Sequence, residues 1–230
     1  MWTKNPIPML RHQPLFRQLS EYEQIFLHLT ITGLGGSDME PHVPSPNTVL
    51  SSLPELITLL KSPERIRIRF DPIIHMRNAE GISVENLYFF DELAPQIAEA
   101  GVKQVSISWV QIYRKVASRL CRNNWRVIEI SAEQQKDEQN YMQITARKFG
   151  LQLHGCCVPG WPRSKCIDGE LLTRLHPSGL QASPRKAKGQ RAACGCTESW
   201  DIGWYYPCRH GCLYCYGRPL EKEDQKIVNQ

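Results

Sequence analysis

Gln24-Ile25-Phe26-Leu27-His28-Leu29-Thr30-Ile31-Thr32, broken by Gly33, and Arg65-Ile66-Arg67-Ile68-Arg69-Phe70, followed by Asp71-Pro72, are the two stretches whose reading decides the fold. Apolar and β-branched residues fill both, and turn formers close them, so each reads as a buried strand. Between them Ser45-Pro46 offers an N-cap followed by proline at the first helical position. Val49, Leu50, Leu53, Leu56, Ile57 and Leu60 then recur at helical spacing through Pro54. Strand, helix and strand in succession make one βα unit.

The unit repeats downstream. Ser83 caps a helix running to Glu99, kinked at Pro95 and ended by Gly101, and residues 104–110 form the next strand. Residues 113–122 are helical, and Ser131 opens a further helix with Gln134 at the capping-box position. Gly150 ends that helix before a strand at 151–154. Strands returning at intervals of roughly forty residues with helices between predict an α/β fold with a parallel sheet. The expected architecture is a partial or permuted TIM-barrel-like body over residues 1–155. A cysteine-rich metal-cluster segment, 156–230, is packed on the same domain.

The 230 residues are 41% hydrophobic, enough for one substantial core. No run approaches the length of a membrane span, and the polar, proline-broken start is no signal peptide, so a cytoplasmic protein without a membrane partner is expected. Lys and Arg number 28 against 23 Asp and Glu, a net charge of +5 that permits an anionic partner such as nucleic acid without requiring one. The densest basic run, Pro184-Arg185-Lys186-Ala187-Lys188-Gly189-Gln190-Arg191, has no interleaved aromatics and reads as a solvated loop. No His-x-x-Glu-His, Gly-x-Ser-x-Gly or phosphate-binding Gly-x-x-x-x-Gly-Lys-Ser pattern occurs, which removes sequence support for hydrolases and nucleoside triphosphatases.

Cysteine usage carries the chemistry. Nine cysteines are an odd number, and six crowd into residues 166–215, a pattern of reduced, metal-binding thiols rather than of a disulfide framework. Cys208, Cys212 and Cys215 stand at C-x3-C-x2-C spacing, which suits three corners of a [4Fe-4S] cluster and leaves one iron without a protein ligand. Zn in a knuckle or a closed four-thiol site is the alternative. Cys194-Gly195-Cys196, Cys166 and one of Cys156 or Cys157 make four further thiols, enough for a closed auxiliary cluster or a zinc tetrahedron. Cys121, on a helix, reads as a small buried apolar residue. His210 inside the triad loop reads as pointing away from it, and His28 as a packed or solvent-facing strand residue.

A curved parallel sheet carries its functional groups at the carboxyl ends of its strands. Those positions are Thr30 and Thr32, Arg69 and Asp71, Ser106 and Ser108, and Cys156 with Cys157. Each has a plain structural alternative: an ion pair ordered by Pro72 for Arg69 and Asp71, backbone satisfaction for the hydroxyls.

The chain resembles the bacterial family catalogued as domain of unknown function 1848. The resemblance rests on Trp2-Thr3-Lys4-Asn5-Pro6, Pro8-Met9-Leu10, Thr30-Ile31-Thr32-Gly33, Arg69-Phe70-Asp71-Pro72-Ile73, Ser106 to Ser108, and Ile112-Tyr113-Arg114-Lys115. It continues through Cys166-Ile167-Asp168, Gln190-Arg191 and the closing run from Cys194 through Ser199, Asp201-Ile202-Gly203 and Tyr205 to Cys208-x3-Cys212-x-Tyr214-Cys215-Tyr216. The Gly211-Cys212-x-Tyr214-Cys215-Tyr216 core is also similar to the cluster loop of spore photoproduct lyase-like radical S-adenosylmethionine proteins. That likeness implies S-adenosylmethionine on the open iron, Tyr214 near its adenine, a reducing electron donor and a substrate that the sequence does not name. Such proteins carry the loop after their first strand, whereas here it lies near the carboxyl end, an order a permuted barrel reconciles. The family also opens with a strand and a Ser-Arg-Arg-Thr-Asp-Ile-Pro-like segment before Trp2, so the N-terminus reads as truncated. Two expectations of different class follow: a radical S-adenosylmethionine enzyme, or a non-catalytic structural zinc or iron-sulfur protein, including a truncated inactive family member.

Overall fold

The computed structural model describes residues 1–202, 208–217 and 219. Among them are the strands β1 (Trp2–Thr3), β2 (Leu27–Thr30), β3 (Ile66–Ile73), β4 (His75–Asn78), β5 (Ser83–Glu85), β6 (Gln104–Trp109), β7 (Trp125–Val127) and β8 (Gln152–Gly155). The helices are α1 (Ile7–Arg11), α2 (Gln13–Ser20), α3 (Pro46–Ser51), α4 (Leu53–Leu60), α5 (Phe89–Glu99), α6 (Arg114–Arg122), α7 (Ala132–Lys148) and α8 (Gly169–Leu175). Five strands form a wholly parallel sheet in the order β1-β2-β3-β6-β8, and β5-β4-β7 form a small antiparallel sheet beside it.

Each strand of the large sheet joins the same edge as its predecessor, so right-handed crossovers place the connecting helices on one face, as in part of a barrel. The side chains follow suit. Leu27, Leu29, Ile66, Ile68, Phe70, Val105 and Ile107 share one face in register and lie fully buried with Leu56, Phe90, Ile97 and Met142 of the covering helices. Burying each of these side chains contributes roughly 1.5–3 kcal/mol. The opposite face is polar: Trp2 pairs with His28 and His28 with Arg67, while Thr30 pairs with Arg69, Arg69 with Ser106 and Ser106 with His154. The Arg-Ile-Arg-Ile alternation of β3 is thus a two-faced strand.

Polar inner groups out of water need partners. The chain after β8 supplies them: Arg67 donates to Lys165 O, the His28 ring shares a 2.6 Å hydrogen bond with Cys166 O, and the Ser106 and Ser164 hydroxyls meet at 2.7 Å. No distinct cysteine-rich cluster segment is seen among the described residues. Among the described residues the cysteines of 156–196 belong to a plug laid over the inner face of the sheet, because that face cannot be left unpaired.

Several local expectations hold. Ser45 and Ser131 accept from the backbone N–H of Thr48 and Gln134 at the starts of α3 and α7, and Gly101 and Gly150 take φ of +79° and +67° after α5 and α7. Others are overturned. Ser83 lies in β5, and α5 begins only at Phe89. The helix expected through Pro54 is two helices broken at Ser52, whose hydroxyl donates to Val49 O. Cys121, expected to be buried, is exposed, because the buried face of α6 is made by Val116, Arg119 and Leu120.

Candidate functional site

At the carboxyl ends of β3 and β6, Asp71 ties two strands together. Its Oδ2 pairs with the Arg69 guanidinium and its Oδ1 accepts from Ser108 Oγ at 2.5 Å. Burial works against the charge of Arg69, but Asp71 and Cys166 beside it leave the guanidinium raised above its ordinary value. One residue beyond β8, Cys156 Sγ accepts from Arg191 at 3.3 Å. The Tyr216 ring is exposed, while its hydroxyl, pushed up first by desolvation, stands in the fields of Arg69, Asp71, Cys215 and Cys156. Four strand-end residues of the sequence reading, Arg69, Asp71, Ser108 and Cys156, therefore meet, and Arg191 and Tyr216 join them.

Thr32 goes elsewhere. Its hydroxyl donates to Glu40 Oε1 at 2.5 Å, and that oxygen also accepts from Lys4 Nζ at 2.9 Å and from the Tyr214 hydroxyl. Glu40 is 1% exposed, and its other oxygen has no partner among the described residues. Ser106 is spent on Ser164, and Thr30 is aligned with Arg69 in the sheet.

The loop bearing Cys208, Cys212 and Cys215 is seated on the segment that follows β2. Leu213 N donates to Met39 O at 3.0 Å and His42 N to His210 O at 3.3 Å, while Arg119 of α6 donates to Cys215 O at 2.6 Å. Gly211, at φ +66°, gives the reversal before Cys212. Cys212 and Tyr214, each 5% exposed, pack with Leu34, Met39, Ile74, Val116 and Leu120 in a second apolar core. Burial pushes the Cys212 thiol up to about 12; Lys4 opposes this, and Glu40, Cys215 and Cys208 add to it. The three thiols thus lie within one another's electrostatic reach. His210 does not point away from them: its Nδ1 lies 3.4 Å from Cys208 Sγ, and Gly217 N donates to Cys215 Sγ at 3.3 Å. Tyr214 is anchored in the core by its hydroxyl. Gly203 and Tyr205 lie outside the described residues.

The second thiol group forms a series. Cys156 neighbours Cys166, Cys166 neighbours Cys196, and Cys196 neighbours Cys194, each perturbing the next. The Cys156 thiol is pushed down, because Cys166 hydrogen-bonds to it and Arg191 stands beside it; Cys166 and Cys196 are pushed up. Arg69 Nη1 donates to Cys166 Sγ at 3.4 Å and Cys166 N to Cys196 Sγ at 3.2 Å. Gly195 leaves room in this turn for the Arg163 side chain, whose Cδ would lie 2.8 Å from a Cβ at that position and would have to shift. Cys157, at φ +59°, follows the bend that carries Cys156 to Cys166.

All nine cysteines are free thiols, and among the described residues no group of three or more His, Cys, Asp or Glu side chains is gathered tightly enough to hold a metal ion. A mononuclear zinc site, with metal–sulfur bonds of about 2.3 Å, needs thiolates in near contact with one another. The donor chemistry itself suits a soft iron-sulfur centre: thiols in two groups, with Arg69, Arg191 and backbone N–H groups directed at sulfur. Among the described residues no helix is long and apolar enough to cross a membrane.

Neither the curated proteins nor the solved structures contain a match to this chain. The family model described as Domain of unknown function (DUF1848) matches residues 1–217, nearly the whole chain, and the protein belongs to that family.

Proposed function

We propose that the chain is an iron-sulfur protein related to radical S-adenosylmethionine enzymes, in which Cys208, Cys212 and Cys215 hold a [4Fe-4S] cluster with one open iron. Cys156, Cys166, Cys194 and Cys196 hold an auxiliary cluster, with Cys156 rather than Cys157 as the ligand because it is the one that adjoins Cys166. The observation that carries the reading is the seat of the triad loop. Although late in sequence, it rests on Lys4, which follows β1, and on Met39, Glu40 and His42, which follow β2. That is the place, above the first strands of a parallel array, where a cluster loop following the first strand would lie.

Bound there, such a cluster would pass one electron from an external reductant for reductive cleavage of S-adenosylmethionine. The chain's own groups have separate tasks. Lys4, Thr32 and Tyr214 converge on Glu40 and hold the loop against the sheet, and Arg119 fixes the Cys215 carbonyl. With Cys212 protonated as a free thiol, metal binding releases its proton, so loading weakens as pH falls. Asp71, Arg69 and Ser108 offer a paired donor and acceptor set between the two thiol groups, where a substrate would be oriented. Tyr214, buried, acts from beneath the loop, and any contact with adenine would run along its ring. On this reading the protein works in the reducing cytoplasm with an electron donor, the setting that free thiols and an oxygen-sensitive cluster would suit.

A structural role is the second reading, favoured by the burial of Cys212 and Tyr214 in the second core. Metal binding is then folding energy. Iron and sulfide analysis of protein purified without oxygen, with paramagnetic resonance before and after addition of S-adenosylmethionine, separates the two. Roughly eight irons per chain and a reduced-cluster signal shifted by the cofactor support the enzyme. Stoichiometric zinc, or a signal indifferent to the cofactor, refutes it. Cys215→Ser should leave the five-stranded sheet folded and abolish cofactor cleavage; loss of the loop's fold in a parent that never cleaves the cofactor would leave only the structural role.

A further inference from the structure

A single guanidinium touches both the strand-end site and the second thiol group. Arg69 directs Nη2 at the Asp71 carboxylate and Nη1 at Cys166 Sγ, 3.4 Å away. The Arg69 side chain is 15% exposed and that of Asp71 10%, so water and salt screen neither contact well. Arg69 and Asp71 stand two residues apart at the end of β3, and the plug brings Cys166 to them. The backbone of the plug is held there by the His28 ring on Cys166 O at 2.6 Å and by Arg67 on Lys165 O. Asp71 in turn is fixed from β6 by Ser108 Oγ at 2.5 Å. A second guanidinium, that of Arg191, donates to Cys156 Sγ at 3.3 Å, and Cys196 Sγ accepts the backbone N–H of Cys166 at 3.2 Å. Two of the four thiols of this group thus receive N–H groups from cations.

We propose that Arg69 couples the strand-end site to the auxiliary thiol centre, so that a cationic or hydrogen-bond-donating substrate group engaging Asp71 raises the centre's reduction potential. This inference rests on the iron-sulfur reading of those thiols given above. Positive charge and hydrogen bonds at cluster sulfur favour the reduced, more negative state. The Asp71 carboxylate offsets part of the charge that Arg69 presents to Cys166, and a group that neutralises Asp71 lifts that offset. Arg191 acts on Cys156 in the same sense without passing through Asp71. An ion pair that only ties β3 to β6 would move stability and leave the potential where it was.

The test begins with iron and sulfide counts on the full chain purified without oxygen. The midpoint potential of the paramagnetic signal that S-adenosylmethionine does not shift is then measured by dye-mediated redox titration. Asp71→Asn keeps the shape of the side chain and removes its charge; it should raise the midpoint by at least about 59 mV, a tenfold change in a one-electron equilibrium. Arg69→Gln should lower the midpoint by a similar amount. Shifts of opposite sign do not arise from a general loss of stability. Arg191→Gln, at an exposed position, should also lower the midpoint and calibrates what one cation at sulfur is worth, and Asp71→Asn alone decides the case should Arg69→Gln not fold. Iron equal to the parent's with the Asp71→Asn midpoint unmoved or lowered overturns the coupling and leaves the iron-sulfur reading standing. An iron count that Cys156→Ser/Cys166→Ser leaves unchanged overturns the auxiliary centre, and the coupling with it.

Discussion

Replacing Glu40 by glutamine keeps the shape of the side chain and removes its charge. In the native protein Glu40 Oε1 accepts from Lys4, Thr32 and Tyr214 within a site where the Lys4 side chain is 16% exposed and that of Glu40 1%. Lys4 Nζ also lies 3.1 Å from the Tyr214 hydroxyl and 5.6 Å from its ring centre, so it cannot follow its lost partner into water without abandoning the loop. Removing one member of a buried ion pair costs about 3–5 kcal/mol, because the other charge stays desolvated and uncompensated. For a chain of this size that is about 6–20 °C in Tm, at roughly 2–4 °C per kcal/mol. Adding Lys4→Met removes the orphan charge, so the double variant should recover most of the loss. Thermal and denaturant melts of the four proteins in the cycle give the coupling, and amide exchange at Leu213, whose N–H is bonded to Met39 O, reports whether the loop is what loosens. A Glu40→Gln protein within about 0.5 kcal/mol of the parent, or a double variant whose loss is the sum of the singles, would refute the claim that this pair holds the triad loop.

Three further outcomes are expected. His28 has its pKa lowered to about 3, first by burial and then by Arg69; its unfolded value is higher, so the unfolded chain takes up the proton first and stability falls as pH drops from about 6.5 toward 3, at up to ~1.36 kcal/mol per unit. His28→Asn should flatten that slope in chemical denaturation at pH 4 to 6, roughly the middle of this range. His75 behaves oppositely: its hydrogen bond to Glu138 raises its pKa, so its contribution is complete below about 6.5 and is lost as pH rises through the folded value, and His75→Gln should remove that loss in the same titration. Ser131→Ala deletes the cap of α7 and should cost about 1 kcal/mol with no effect on metal loading, read by thermal melts and iron analysis; a loss above roughly 3 kcal/mol would mean the hydroxyl does more than cap.

What the sequence by itself determined is what depends on near neighbours along the chain. Ser45 and Ser131 cap because their acceptors lie three residues before the N–H groups they satisfy, and Gly101 and Gly150 end helices because they accept a positive φ. The strands at β2, β3, β6 and β8 were legible for the same reason, since alternation and flanking turns are local signals. The two cysteine groups and the strand-end list were likewise visible as spacing. Tertiary structure decided what the spacing serves. The two-residue strand β1 is too short to carry a pattern and exists only because β2 offers it an edge; Ser83 joins a hairpin because β4 is there to pair with it. Nor could the sequence say that the inner face of the sheet is polar and plugged by the chain around Cys166. That face is defined by which strands stand side by side, and the residues covering it lie up to 138 positions away. Likewise Glu40 and Tyr214, separated by 174 residues, meet through the docking of one loop on another. Exposure is also a pairwise outcome: Cys121 is on the surface and Arg119 is buried because the triad loop covers one side of α6 and leaves the other open. Caps and periods are written within a few residues of the backbone they act on, whereas a site is a set of distances that comes into being only when remote segments bury their polar groups against each other.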